Sequence, residues 1–206
     1  MEYSFHLYNK LATDGAAMAL DKLLRVDIHR RLHKTKGACT VSAQNLISNF
    51  PPPVVVCIGS DLAIGDSLGP ITGSMLKYKT QGLNAFLYGT LSTPVTAKEI
   101  RYLRTFLRET HKGSQIIAVD AAVGEKGDIG LIKLSDSPLL PGAGANKKLG
   151  SIGDISIMGI VAEKSLGNYG LFNTTRLNLV YTMSEIISDS LSTLLWNYNG
   201  KTVKNA

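Results

Sequence analysis

Two aspartates stand where this sequence can do chemistry: Asp66 in the run Val54–Pro70 (VVVCIGSDLAIGDSLGP) and Asp120 in Gln115–Gly124 (QIIAVDAAVG). Each β-branched run ends in a Gly- or Ala-rich turn, and each turn carries a carboxylate. In an open parallel sheet the carboxyl ends of the strands open onto one crevice, where such folds bind and react. Two carboxylates there divide acid and base roles when their surroundings push their pKa values apart. Asp120 directly follows Ile-Ile-Ala-Val, and a charge at the edge of an apolar strand needs a partner or a purpose. Burial would raise its pKa and suit it to carrying a proton. Asp66 has two readings. It is a member of the pair, or it caps the following helix through its N–H groups, which would hold its pKa low. Asp61 reads as a turn residue.

Other chemistries find little support. Gly59–Pro70 (GSDLAIGDSLGP) has the strand, turn and helix start that cradle an anion. Its spacing is neither G-x-G-x-x-G nor G-x-x-x-x-G-K-[ST], and an Asp at the mouth of the helix repels phosphate. Pro141–Lys148 (PGAGANKK) could form an anion-binding nest of backbone amides, or it is an ordinary surface loop. His29 and His33 are spaced as helical metal ligands but lack an obvious third partner. No G-x-S-x-G surrounds Ser60, and no Cys–His pair suggests a thiol nucleophile. No metal and no cofactor are expected.

The elements that must position the aspartates follow from the apolar pattern. A helix is expected over Asp14–His33, capped by Asp14, with Leu20, Leu24, Ile28 and Leu32 recurring every four residues. Pro51-Pro52-Pro53 is a stiff approach to the first core strand, Val54–Ile58. Then come a turn at Gly59–Gly65, a helix over Gly69–Tyr78, a strand at Asn84–Tyr88 and a helix over Thr96–Thr110. The last of these carries a stripe of Ile100, Leu103, Phe106 and Leu107. Strands at Gln115–Val119, Ile129–Leu134 and Ile155–Val161 precede a long helix, Arg176–Tyr198, with Leu177, Val180, Ile187, Leu191, Leu194 and Leu195 facing inward. This alternation predicts a three-layer α/β/α domain with a mostly parallel sheet. One domain over 1–206 is expected, with 1–50 a helical extension and 54–198 the core.

Bulk properties narrow the class. The 206 residues are 44% apolar, enough for a sizeable core, and carry a net charge of +6 from 22 Lys and Arg against 16 Asp and Glu. Lys22–Lys36 holds Lys22, Arg25, Arg30, Arg31, Lys34 and Lys36 against Asp27 alone. That run is a solvated helix face or a patch for nucleic acid or an acidic protein. Cys39 and Cys57 form no C-x-x-C, and a reducing cytosol fits them. The N-terminus lacks an apolar signal segment, and no stretch approaches the ~20 apolar residues of a membrane span. A cytoplasmic protein is expected, and apolar surface on the last helix could support a homo-oligomer.

The ordered series CIGSDLAIGDSLGP, YGTL (Tyr88–Leu91), AVDAAVG, PGAGANKK and GDISIMGIV (Gly153–Val161) resembles the YyaC-type sporulation proteins of spore-forming bacteria. That family of unknown function is in turn similar to the spore germination protease and, more distantly, to hydrogenase maturation proteases. The likeness spans about Val54–Tyr198. It implies a phosphorylase/hydrolase-like (hydrogenase-maturation-protease-like) fold, with essential aspartates falling on Asp66 and Asp120. It also implies substrate-binding positions at Gly59, Ser60, Gly142, Gly144, Asn146 and Lys147. Nickel-guided activity is not expected, because Gly89-Thr90-Leu91-Ser92 follows the second strand and no His follows His111. The expectation is an aspartate-dependent endopeptidase of sporulating cells acting on a protein or peptide, small acid-soluble spore proteins among the candidates, with no membrane and no nucleic-acid role. The alternative is a non-catalytic sporulation factor that binds protein or nucleic acid through the basic N-terminal helix.

Overall fold

In the computed structural model, residues 1–34, 50–141, 150–164 and 175–203 are described. Val54–Cys57 (β2) is a run of small and β-branched residues with no solvent exposure, as a strand covered on both faces must be. It lies between Phe86–Tyr88 (β3) and Ile116–Gly124 (β4), parallel to both. Beyond β4 come Ile155–Glu163 (β6), parallel to it, then Leu131–Ser135 (β5) and Glu2–His6 (β1). The sheet has six strands in the order β1-β5-β6-β4-β2-β3, and β5 runs against both of its neighbours.

Alternate residues of each strand serve different layers. Val55, Cys57, Ile117, Val119, Ile155 and Ile157 meet helices Ala12–Lys34 (α1), Leu68–Lys79 (α2) and Leu177–Val203 (α4) in one core. Val54, Val56, Ile58 and Ala118 meet Ile100–Thr110 (α3) in the other. The chain is therefore a three-layer α/β/α structure with a mostly parallel sheet, as the alternation predicts.

Several local expectations are corrected. Helix α1 begins at Ala12, so Asp14 sits in its first turn instead of capping it, where a negative charge favours the helix dipole. Leu32, Phe106 and Leu177 fall off their stripes and are exposed. The N-terminal segment forms β1, whose Tyr3 and Phe5 pack toward the core while Glu2 and Ser4 face water.

The three arginines of the basic run on α1 are ion-paired. Arg25 pairs with Asp21 at 2.6 Å and Arg30 with Asp136 at 2.7 Å. Arg31 pairs with both Asp27 and Asp154 at 2.7 Å. The Lys22 ammonium lies 5.9 Å from the centre of the Tyr3 ring. No helix among the described residues is long and apolar enough to cross a membrane.

Candidate active site

At the carboxyl edge of the sheet, β2 ends before β4 does. The β2–β4 register stops at Cys57↔Val119, and the Ile58 N–H donates to the Val119 carbonyl at 2.7 Å. Asp120 is the next residue. The sequence places it just past a strand ending at Val119, but β4 continues to Gly124 because β6 stays paired with it, Asp120 opposite Met158. Asp120 is thus held by strand pairing on one side, while on the other β2 has left the sheet.

The chain leaving β2 folds back to bring Asp66 to the same place. Gly59 has φ +141°, and a β-carbon there would overlap the Asp66 carbonyl oxygen. That oxygen accepts the Ser60 N–H at 3.1 Å, and the Gly59 N–H donates to the Val95 carbonyl at 3.0 Å. These bonds tie the turn both to itself and to the segment that follows β3. Asp66 then lies in a short 3-10 turn, Ile64–Ser67, that packs against β4, α2 and α4. The capping position of α2 is Ser67, whose side chain makes no cap bond, so Asp66 is not its N-cap. At Gly69 a β-carbon would overlap the Ile58 carbonyl oxygen, so the start of α2 sits directly on the end of β2.

The two carboxyls sense each other. Burial pushes the Asp120 pKa well above the usual carboxylate range and the negative charge of Asp66 adds to it, against a lowering by the Ala121 N–H. That N–H donates to Asp120 Oδ1 at 2.8 Å. The residue keeps partial solvent exposure even though protein surrounds its carboxyl. Burial and the neighbouring negative charge thus both favour the protonated form of Asp120.

Of the other sequence-stipulated positions, Gly59 and Ser60 belong to the turn that carries Asp66, and Asp61 is an exposed turn residue. Gly142, Gly144, Asn146 and Lys147 lie outside the described residues. Beyond β3, buried Thr90 sets its hydroxyl 3.0 Å from those of both Ser92 and Thr93, a local turn contact. Among the described residues no three His, Cys, Asp or Glu side chains stand together as a metal-binding set. A separate cleft of about 430 Å³ lies between the end of β6 and the start of α4, lined by Glu163, Thr175 and Arg176 among others and by neither aspartate.

A hydrogenase maturation protease, HycI from Thermococcus kodakarensis, is similar in structure, with 18% identity and a TM-score of 0.37 over 71% of this chain and 99% of that one. In sequence the chain is 43% identical over 165 residues to the uncharacterized protein YyaC of Bacillus subtilis (strain 168), covering 77% of this chain and 80% of that protein. Residues 33–190 match the family model described as "Protein of unknown function (DUF1256)", and the chain belongs to that family.

Proposed function

We propose that this chain is an aspartate-dependent endopeptidase of the sporulating cell's cytoplasm, with Asp66 and Asp120 as its catalytic pair. The observation that carries the reading is the coupling of the two carboxyls at the carboxyl edge: burial and the charge of Asp66 together favour a proton on Asp120. The resemblance of GDSLGP and VDAAVG to the segments bearing the germination protease's essential aspartates, drawn from the sequence alone, is in keeping with it.

In this mechanism the Asp66 carboxylate takes a proton from a water that attacks the peptide carbonyl carbon. Protonated Asp120 donates to the carbonyl oxygen, giving a neutral tetrahedral diol. The C–N bond then breaks as Asp66 returns its proton to the leaving nitrogen. Asp120 recovers its own from a diol hydroxyl, so the products are a carboxylic acid and an amine and both aspartates are reset. Positioned proton transfer of this kind contributes about 10²–10⁴-fold each way.

The test is cleavage read by intact mass. Wild type, Asp66→Asn and Asp120→Asn would each meet a fraction of small acid-soluble spore proteins. Discrete fragments from wild type alone are expected; equal cleavage by either variant would refute the pair as catalytic.

A further inference from the structure

Strand β4 outruns β2, and this leaves one side of β4 without a partner strand beside the two aspartates. Successive backbone groups of a strand turn to its two neighbours in alternation. On the β2 side every second carbonyl of β4 is taken: the Val54 N–H donates to Gln115 at 2.8 Å and the Ile58 N–H to Val119 at 2.7 Å. The next acceptor on that side is the Ala121 carbonyl, and the donor that would continue the ladder to it is the Ser60 N–H. Ser60 turns back and donates to the Asp66 carbonyl at 3.1 Å. On the opposite side β6 keeps its hold, with the Lys164 N–H donating to the Gly124 carbonyl at 2.7 Å. The turn that brings Asp66 to the site is therefore the turn that opens the edge of β4.

That edge runs from Asp120 to Gly124, about 13 Å at ~3.3 Å per residue. None of its residues is fully buried, in contrast to Ile117–Val119 before them. The Ala121 N–H is held by Asp120 Oδ1 at 2.8 Å. The alternation turns the Ala121 carbonyl and the Val123 N–H and carbonyl the same way, and among the described residues no hydrogen bond reaches these three groups. Acceptor, donor and acceptor in a row, spaced as a strand spaces them, are complementary to another extended backbone. A folded substrate has its own backbone groups paired already, so an unfolded segment is what brings them free.

We propose that the edge of β4 vacated by β2 is the docking line for the polypeptide substrate, which binds there as an added strand: an extended, unfolded segment hydrogen-bonded to the Ala121 carbonyl and to the Val123 N–H and carbonyl. That the guest is a substrate rests on the peptidase reading; that it is an extended backbone rests on β4 itself. Register ties the binding to the chemistry. Ala121 directly follows Asp120, so a strand paired with Ala121 and Val123 at the usual ~4.8 Å spacing carries its next peptide group past Asp120. Recognition falls on the main chain, and the site selects an unfolded chain ahead of a particular sequence.

The experiment uses the full chain carrying Asp66→Asn, so that binding is read without turnover, and an uncharged dodecapeptide rich in Thr, Val and Gln. Amide hydrogen exchange followed by NMR should show the Val123 N–H slowed about tenfold or more with peptide bound, while the Ala122 amide, which faces β6, is unchanged. Versions of the peptide N-methylated at one position at a time should lose affinity several-fold at every second residue and keep it in between. Val123→Pro removes a donor that the β6 pairing does not use, so it should fold and bind the parent peptide several-fold more weakly. Should that variant melt early, the N-methyl series on the unaltered strand carries the test alone. No binding, an unchanged Val123 amide, or N-methyl losses without the two-residue period overturns the docking line. Cleavage by wild type that ignores N-methylation would sink the docking line and spare the peptidase. Protection of Val123 with no cleavage of any peptide by wild type would do the reverse.

Discussion

The carbonyl oxygen of Asp66 occupies the space that a side chain on Gly59 would need, and the next residue, Ser60, donates its N–H to that same oxygen at 3.1 Å. The turn between β2 and α2 is thereby closed on itself, and it holds Asp66 close enough for its charge to act on Asp120. A residue at φ +141° with backbone against its missing side chain is one that only glycine fills without strain.

Gly59→Ala should therefore disable the pair more than it unfolds the protein. The expected stability loss is about 1–3 kcal/mol, from a strained backbone and a displaced turn. The expected loss of peptidase activity is about 10²-fold, because an offset of ~1 Å at a reacting group costs that much. Urea melts and cleavage rates on one preparation would show whether activity falls out of proportion to stability.

Asp120 should lower stability at neutral pH, and the sign can be worked out. Its folded-state pKa is raised, chiefly by burial and then by Asp66. Below the ordinary pKa of an aspartate, folded and unfolded chains both hold the proton and the carboxyl has no such effect. Between that value and the raised one the folded chain holds more protons, so stability falls as pH rises. Asp120→Asn removes this dependence. Its Tm should exceed wild type at pH 7, by ~2–4 °C for each kcal/mol relieved, and the gain should vanish toward pH 3. A lower Tm at pH 7 would oppose the assignment.

At the amino edge the expectation concerns Arg31. It bridges Asp27 and Asp154 and donates to the Gly113 and Ser114 carbonyls at 3.3 and 3.4 Å. Asp27 also accepts from Gln115 at 2.8 Å, and Asp154 from the Ile116 N–H at 2.8 Å. Arg31→Leu strands two carboxylates at the start of β4 and should cost about 2 kcal/mol, below the ~3–5 of a fully buried pair because these groups keep some solvent. Arg25→Ala breaks a more exposed pair and should cost under about 1 kcal/mol. Urea denaturation of the two variants would separate the cases.

Much of this was legible in the chain and some was not, for physical reasons. The buried run Val54–Cys57 and the periodic helices announced alternating layers, and the turns after the apolar runs pointed to Asp66 and Asp120. Position within the strand was hidden for Asp120: Ala121–Gly124 looks like a turn, and it is strand because β6 pairs with it. Strand β1 was hidden because five residues pattern weakly until β5 lies beside them. The ion pairs of Arg30 and Arg31 with Asp136 and Asp154 were hidden by distance, these partners lying more than a hundred residues away along the chain.

The coupling between the two aspartates is the centre of this account, and carboxyl-carbon NMR titration measures it without any substrate. The Asp120 side-chain carbon would be followed with pH in wild type and in Asp66→Asn. Asp120 should titrate well above an ordinary aspartate in wild type and shift downward, though not fully back, once the Asp66 charge is gone. An Asp120 that titrates like a solvent-exposed aspartate, or one indifferent to Asp66→Asn, would contradict the pair.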